Sequence, residues 1–268
     1  MKRDLNMKFK TSDNTELDYQ IKGRGKPLIF ITGFGGHQEV WSSQVDYFSK
    51  HGYQVITYDH RNFGKSQRTK VGHTSAQLTH DLIELLAFLK ISKAAFIGHS
   101  MGGSVLYNLL HVNPELVELA VVVDQTPYML NDQDWPYGYL DYDKNNYLEL
   151  SQNQPKVHET LNGLDDDVFA KLKPAKIAHP FSREDNLDLL QEHMKHDWRP
   201  TVQDTQVPLY IVAAAQSPYY DANFGKWMDK QNKKVHFILV DQSGHDIMAE
   251  QPDEFNRILA EILKENNY

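Results

Sequence analysis

Apolar residues fall along this chain in two rhythms. Unbroken runs occur at Pro27 to Thr32, Tyr53 to Tyr58, Ala94 to Ile97, Leu119 to Val123, Val207 to Ala213 and Val235 to Val240, as expected of strands buried on both faces. Other segments repeat at helical spacing. Leu78, Leu82, Leu85, Leu86 and Leu89 share one face of a helix expected from about Ser75 to Lys90, with Thr74 or Ser75 as its cap. Phe255, Ile258, Leu259, Ile262 and Leu263 do the same for a terminal helix from Pro252 to Lys264. Further helices are expected through Trp41, Val45 and Phe48, beyond Ser100, and from Tyr219 to Asn232. Near the start, Met7 to Thr11 and Glu16 to Lys22 alternate polar and apolar residues around Asp13-Asn14, the pattern of a hairpin at a sheet edge.

Alternating strands and helices predict an α/β fold with a mostly parallel eight-stranded sheet and helices on both faces. The alternation stops between 125 and 206, where aromatic and charged residues replace the buried runs. A stretch this long inside a compact protein is expected to have structure of its own. We expect a helical cap, 125–206, inserted after the sixth strand into a core made of 1–124 and 207–268.

Composition narrows the function. With 268 residues, 40% of them hydrophobic, the chain can bury a full core. Its 28 basic and 36 acidic residues give a formal charge of −8, which argues against general affinity for nucleic acid or anionic membrane. Without cysteine there is neither a disulfide nor a thiolate metal site. Met1 to Asn6 has no apolar run behind it, and no segment approaches the ~18 apolar residues of a membrane span. These features predict a soluble, cytoplasmic protein acting on a small molecule, and they leave a homodimer open.

The chemistry centres on Phe96-Ile97-Gly98-His99-Ser100-Met101-Gly102-Gly103. A buried strand runs into a helix, with a serine at the turn and glycines two residues to either side. Side chains at those two positions would strike the adjoining strand and helix, and the sharp turn lifts the serine into reach. Ser100 is the expected nucleophile.

Gly33-Phe34-Gly35-Gly36, Asp59-x-Arg61-x-x-Gly64-x-Ser66, Gly98-His99-Ser100-Met101-Gly102-Gly103 and Ser243-Gly244-His245 follow in order, and with them the chain resembles the α/β-hydrolase superfamily along essentially its whole length. It looks most like the small carboxylesterases, non-haem haloperoxidases and perhydrolases. The resemblance implies a serine–histidine–acid triad, an oxyanion hole and a cap, with no cofactor. His245, after the last strand, stands where the base is expected. The oxyanion donors would be the backbone N–H groups of Phe34 and Met101. Two positions depart from the pattern: Thr32 replaces a frequent histidine, and Asn62 replaces a glycine, Asn being the residue best able to keep a left-handed backbone there.

The acid departs as well. Relatives usually carry an aspartate after the seventh strand, where this chain reads Ala213-Ala214-Ala215-Gln216-Ser217-Pro218. A neutral hydroxyl cannot stabilise an imidazolium as a carboxylate does. Asp124, at the end of the sixth strand, is the leading replacement, as in haloalkane dehalogenases and cofactor-free quinaldine dioxygenases. Asp221 is the alternative, and Asp246 is a weaker one.

Trp135 and Trp198 are chosen from the cap as substrate-binding residues, against the alternative that the cap's aromatics form its own core. His193-x-x-His196 has helical spacing but no further ligands, so no metal site is expected. Asp165-Asp166-Asp167 reads as a solvated helix cap. The expected activity is hydrolysis of small carboxylic esters through an acyl-enzyme. A cofactor-free dioxygenase and a non-catalytic ligand-binding member of the same fold are the alternatives.

Overall fold

A computed structural model describes residues 7–268; the segment Met1 to Asn6, expected to carry no secretory signal, lies outside the described residues. The chain opens with the expected hairpin, β1 (Met7–Lys10) and β2 (Glu16–Gly23). It continues with β3 (Lys26–Ile31), α1 (Ser42–Phe48) and β4 (Tyr53–Tyr58). Then come α2 (Ser75–Phe88), β5 (Ala94–His99), α3 (Met101–Val112) and β6 (Val117–Val123). Of the two cap residues considered for α2, Thr74 takes the role, its side chain accepting from the Gln77 N–H.

Four helices separate β6 from the next strand: α4 (Tyr147–Leu150), α5 (Asp166–Ala178), α6 (Leu187–Met194) and α7 (Arg199–Asp204). All but the 13-residue α5 are short, and 125–146 contains no helix, so the inserted region is more irregular than a bundle. Asp165 caps α5 by accepting from the N–H groups of Asp167 and Val168. The chain finishes with β7 (Leu209–Ala214), α8 (Asn223–Gln231), β8 (Val235–Val240), the single turn α9 (Ile247–Glu250) and α10 (Pro252–Glu265).

The strands form one eight-stranded sheet in the order β1-β2-β4-β3-β5-β6-β7-β8. β1 and β2 are antiparallel to their neighbours, and every pairing from β4 to β8 is parallel. Side chains along a strand alternate between faces, so each buried strand feeds two cores. Ile29, Phe96 and Val122 pack with α2 and α3 on one side, and Phe30, Ile97 and Val121 pack with α1 and α10 on the other. β8 is the exception among the runs read as buried. It closes the sheet edge, and Leu239 is 43% exposed.

The loop after β4 explains the Asp59-x-Arg61 motif. Arg61 is buried and grips Asp81 of α2 through two nitrogens (2.7 and 2.6 Å), while its third nitrogen reaches Asp13 at 2.8 Å. Asn62 has φ +69°, the left-handed conformation expected of it. Its side chain accepts from the Thr69 N–H and meets His73, whose other ring nitrogen lies 2.9 Å from Asp188 of the cap. Glu192 of α6 accepts from the backbone and hydroxyl of Ser75 (2.8 and 2.9 Å). These contacts fasten α6 of the inserted region to the start of α2 and to the loop that precedes it.

Candidate active site

Ser100 stands between β5 and α3 with φ +53° and ψ −125°, a conformation an L-residue adopts only when its surroundings enforce it. The glycines around it leave no alternative. A methyl group on Gly98 would lie 2.3 Å from the Gly102 carbonyl oxygen, and one on Gly102 would lie 2.5 Å from that of Ile31. Strand and helix therefore approach more closely than any side chain permits, and the serine is pushed out of the sheet's edge. Gly33 serves the same purpose from β3, since a methyl there would meet the Ser100 Cβ at 2.9 Å.

His245 follows β8 on the loop through Ser243 and Gly244, and it is buried. Its Nδ1 lies 2.7 Å from Oδ2 of Asp124. A carboxylate only accepts, so Nδ1 carries the proton and Nε2 is left as the basic nitrogen. Three rings wall the imidazole: His99 with centroids 4.5 Å apart, Tyr219 at 4.8 Å and Tyr220 at 6.1 Å. Burial alone would lower the pKa of His245. The hydrogen bond to Asp124 and its charge, helped by Asp246 and Glu159, outweigh that effect, and the net direction is upward.

Asp124 is fully buried and lies in the left-handed region at φ +45°. Three donors converge on its carboxylate. Oδ1 accepts from the Ala214 N–H at 3.0 Å, and Oδ2 accepts from the Ser217 hydroxyl at 2.6 Å as well as from His245. Ser217, which replaces the usual aspartate after β7, thus donates to the carboxylate that comes from β6. Asp221 does not approach; it is exposed and accepts from Asn223 at the start of α8.

A cavity of about 370 Å³ holds Ser100, His245, Phe34 and Met101 on its walls, beneath residues of the cap. Met101 opens α3, so its N–H has no partner within the helix and is available to an incoming oxygen. Phe34 sits on the loop after β3, its ring edge-on to Phe181 at 5.0 Å. Asp246 and Glu159 also face the cavity. Burial, with Glu159 nearby, pushes the Asp246 carboxyl up to about 6. His99 is buried and held neutral, its pKa well below the ordinary value because burial and the neighbouring His245 both disfavour charge. Its Nε2–H donates to the His245 carbonyl at 3.0 Å, tying the loop of His245 to β5.

Trp135 and Trp198 do not line this cavity. Trp135 is 1% exposed, donates its indole N–H to the Tyr128 carbonyl, and packs edge-on against Trp227 of α8 beneath Arg199. Trp198 stacks on His196 and precedes α7. Both belong to the packing of the inserted region, Trp135 against Arg199 of α7 and Trp227 of α8, and Trp198 against His196 and His111 of α3. Tyr139, Tyr219, Tyr220, Phe181, Glu159 and Arg183 line the cavity instead; Tyr139 and Phe181 are among the aromatics of the inserted segment, and the other four carried no expectation of a site role. The Tyr219-Tyr220 pair beside the β7 exit was the available signal. His193 faces the cavity, whereas His196 is bonded to Glu192, so the two do not form a common ligand set. Among the described residues no cluster of three or more His, Cys, Asp or Glu could hold a metal ion, and no helix is long and apolar enough to cross a membrane.

Comparison with known proteins bears on the family and the fold. A family model described as the alpha/beta hydrolase fold matches residues 26–252. 3-Oxoadipate enol-lactonase 2 of Acinetobacter baylyi is 27% identical, over 96% of each chain. Among solved structures, an esterase from Exiguobacterium antarcticum superposes with a TM-score of 0.85 at 18% identity, covering 97% of this chain and all of that one. A bromoperoxidase from Bacillus anthracis gives 0.81 at 25% identity over 97% of this chain and 100% of its own.

Proposed function

The chain belongs to the α/β-hydrolase fold family, and on that premise we propose that it is a serine hydrolase cleaving small carboxylic esters through an acyl-enzyme. One observation carries the reading: a buried carboxylate, Asp124, holds His245 Nδ1 at 2.7 Å while His245 and the strained Ser100 face one cavity.

The steps follow from the atoms present. Ser100 Oγ adds to the ester carbonyl as its proton passes to His245 Nε2. Negative charge collects on the carbonyl oxygen, which the N–H groups of Phe34 and Met101 receive; one such donor typically contributes ~10²–10³ in rate. The C–O bond to the alcohol breaks, and the imidazolium returns its proton to that oxygen. Water then adds to the acyl-serine with His245 again taking the proton; the C–Oγ bond breaks as the imidazolium returns that proton to Ser100, and the carboxylic acid leaves. Asp124 stabilises the imidazolium in both halves. The esterase and enol-lactonase names of the similar proteins support an acyl-transfer reading over the dioxygenase alternative.

A fluorophosphonate should add its phosphonyl mass to the peptide containing Ser100, and p-nitrophenyl butyrate should be hydrolysed by the native chain. The Ser100→Ala protein should do neither. Labelling elsewhere, or turnover surviving that substitution, would remove the proposal.

A further inference from the structure

Building on the ester-hydrolase reading, we infer that the substrate carries a free carboxylate besides its ester or lactone group, and that Arg183 of the cap receives it. Arg183 lines the cavity, and its guanidinium lies 5.7 Å from the centre of the Phe34 ring, next to the loop that offers an oxyanion donor. One arm of its fork is fixed by the carbonyls of Ser151 and Asn153, at 2.8 and 3.4 Å. Its Nε is buried without an acceptor. Arg61, Arg199 and Arg257 each hold a carboxylate at 2.8 Å or less, whereas among the described residues none forms an ion pair with Arg183. A guanidinium held by main-chain carbonyls, facing a cavity and lacking its counter-ion, is a seat for one.

The rest of the cavity gives the substrate a direction. Its two acidic groups, Asp246 and Glu159, stand at the His245 end: Tyr219, packed against the imidazole, donates to Glu159 at 2.8 Å, and Asp246 adjoins the base in the chain. Lys176 of α5 also lines the cavity; it acts on Asp246 and His37, so it offsets the acidic end, whereas Arg183 is fixed by the carbonyls of Ser151 and Asn153 beside Phe34. An anion is therefore turned toward Arg183, which leaves the ester carbonyl over Ser100. A single unpaired guanidinium sharing its cavity with two carboxyl groups suits the single charge of a carboxylate, not a phosphate dianion.

The test compares mono-p-nitrophenyl glutarate with p-nitrophenyl pentanoate, which have the same chain length and differ in the terminal carboxylate. The native chain should prefer the glutarate in kcat/KM. Arg183→Gln should lower the glutarate-to-pentanoate ratio by roughly 10–100-fold, chiefly through KM, and Arg183→Lys should lower it less. A ratio that stays within about twofold in the glutamine variant overturns the inference. Calorimetry of glutarate with the Ser100→Ala protein reads the same seat without turnover. Saturable binding that disappears when Arg183→Gln is added supports it even if no ester is hydrolysed, in which case only the reaction assigned to the site falls. Binding that survives the added substitution, or no binding to Ser100→Ala, counts against it.

Discussion

The ends of β6 and β7 lie side by side beneath the same imidazole, yet they contribute differently. The β6 end supplies a carboxylate in a left-handed backbone, fully buried and bonded directly to His245. The β7 end supplies a hydroxyl, Ser217, and a backbone N–H, Ala214, both donated to that carboxylate. Here the charge reaches the histidine from β6, and the β7 end solvates it. Burying a lone carboxylate costs several kcal/mol, and the three donors on Asp124 are what make its burial tolerable. Reach and solvation, rather than position along the sequence, decide which carboxylate meets His245.

The sharpest way to break the comparison is to remove the charge. Asp124→Ala should lower kcat/KM for p-nitrophenyl butyrate by ~10³–10⁴-fold, because the imidazolium loses its counter-charge and the neutral ring its tautomer. Circular dichroism should show the protein still folded. A loss under about tenfold would mean that another group steadies His245. Moving the acid sharpens the point. Asp124→Ser combined with Ser217→Asp exchanges the two strand ends and should recover roughly 10–100-fold of the rate lost in Asp124→Ser alone. No recovery, with the fold intact, would show that the β7 end cannot aim a carboxylate at Nδ1. Ser217→Ala should have the smallest effect, ~3–10-fold in kcat/KM, since one of three donors is lost and the charge remains. An effect as large as that of Asp124→Ala would make the hydroxyl a partner of equal rank.

Much of this was legible in the sequence, for physical reasons that differ by region. Parallel strands buried on both faces must be unbroken apolar runs, so β3 to β7 announced themselves, and the glycines at 98 and 102 could be read from the collisions that their absence would cause. Asn62 was legible because few residues other than glycine occupy φ +69°. Asp124 could be singled out because the usual acidic position held a serine. That the same serine would solvate the replacement was not foreseen, since it depends on where two loops end in space. The cap was least legible. Its aromatics show no period, and the size of Trp135 and Trp198 favours burial in packing just as strongly as it favours a pocket wall. The residues that do line the cavity, such as Tyr139 on an irregular segment and Arg183 before α6, are set by tertiary packing of short elements. The exposure of β8 was hidden similarly, because an apolar run does not tell an edge strand from a central one.

The central claim is that Asp124 is the group that sets the charge of His245, and its most direct test is the NMR titration of the His245 ring in the native protein and in Asp124→Asn. In the native protein the raised pKa should place the titration above the ordinary histidine value, with the acid limb of kcat/KM following it, because the neutral ring is the base and activity grows as pH rises through that pKa. With the carboxylate made neutral, burial is left as the strongest influence, and the titration should fall below the ordinary value. An imidazole that titrates at the same pH in both proteins would contradict the account.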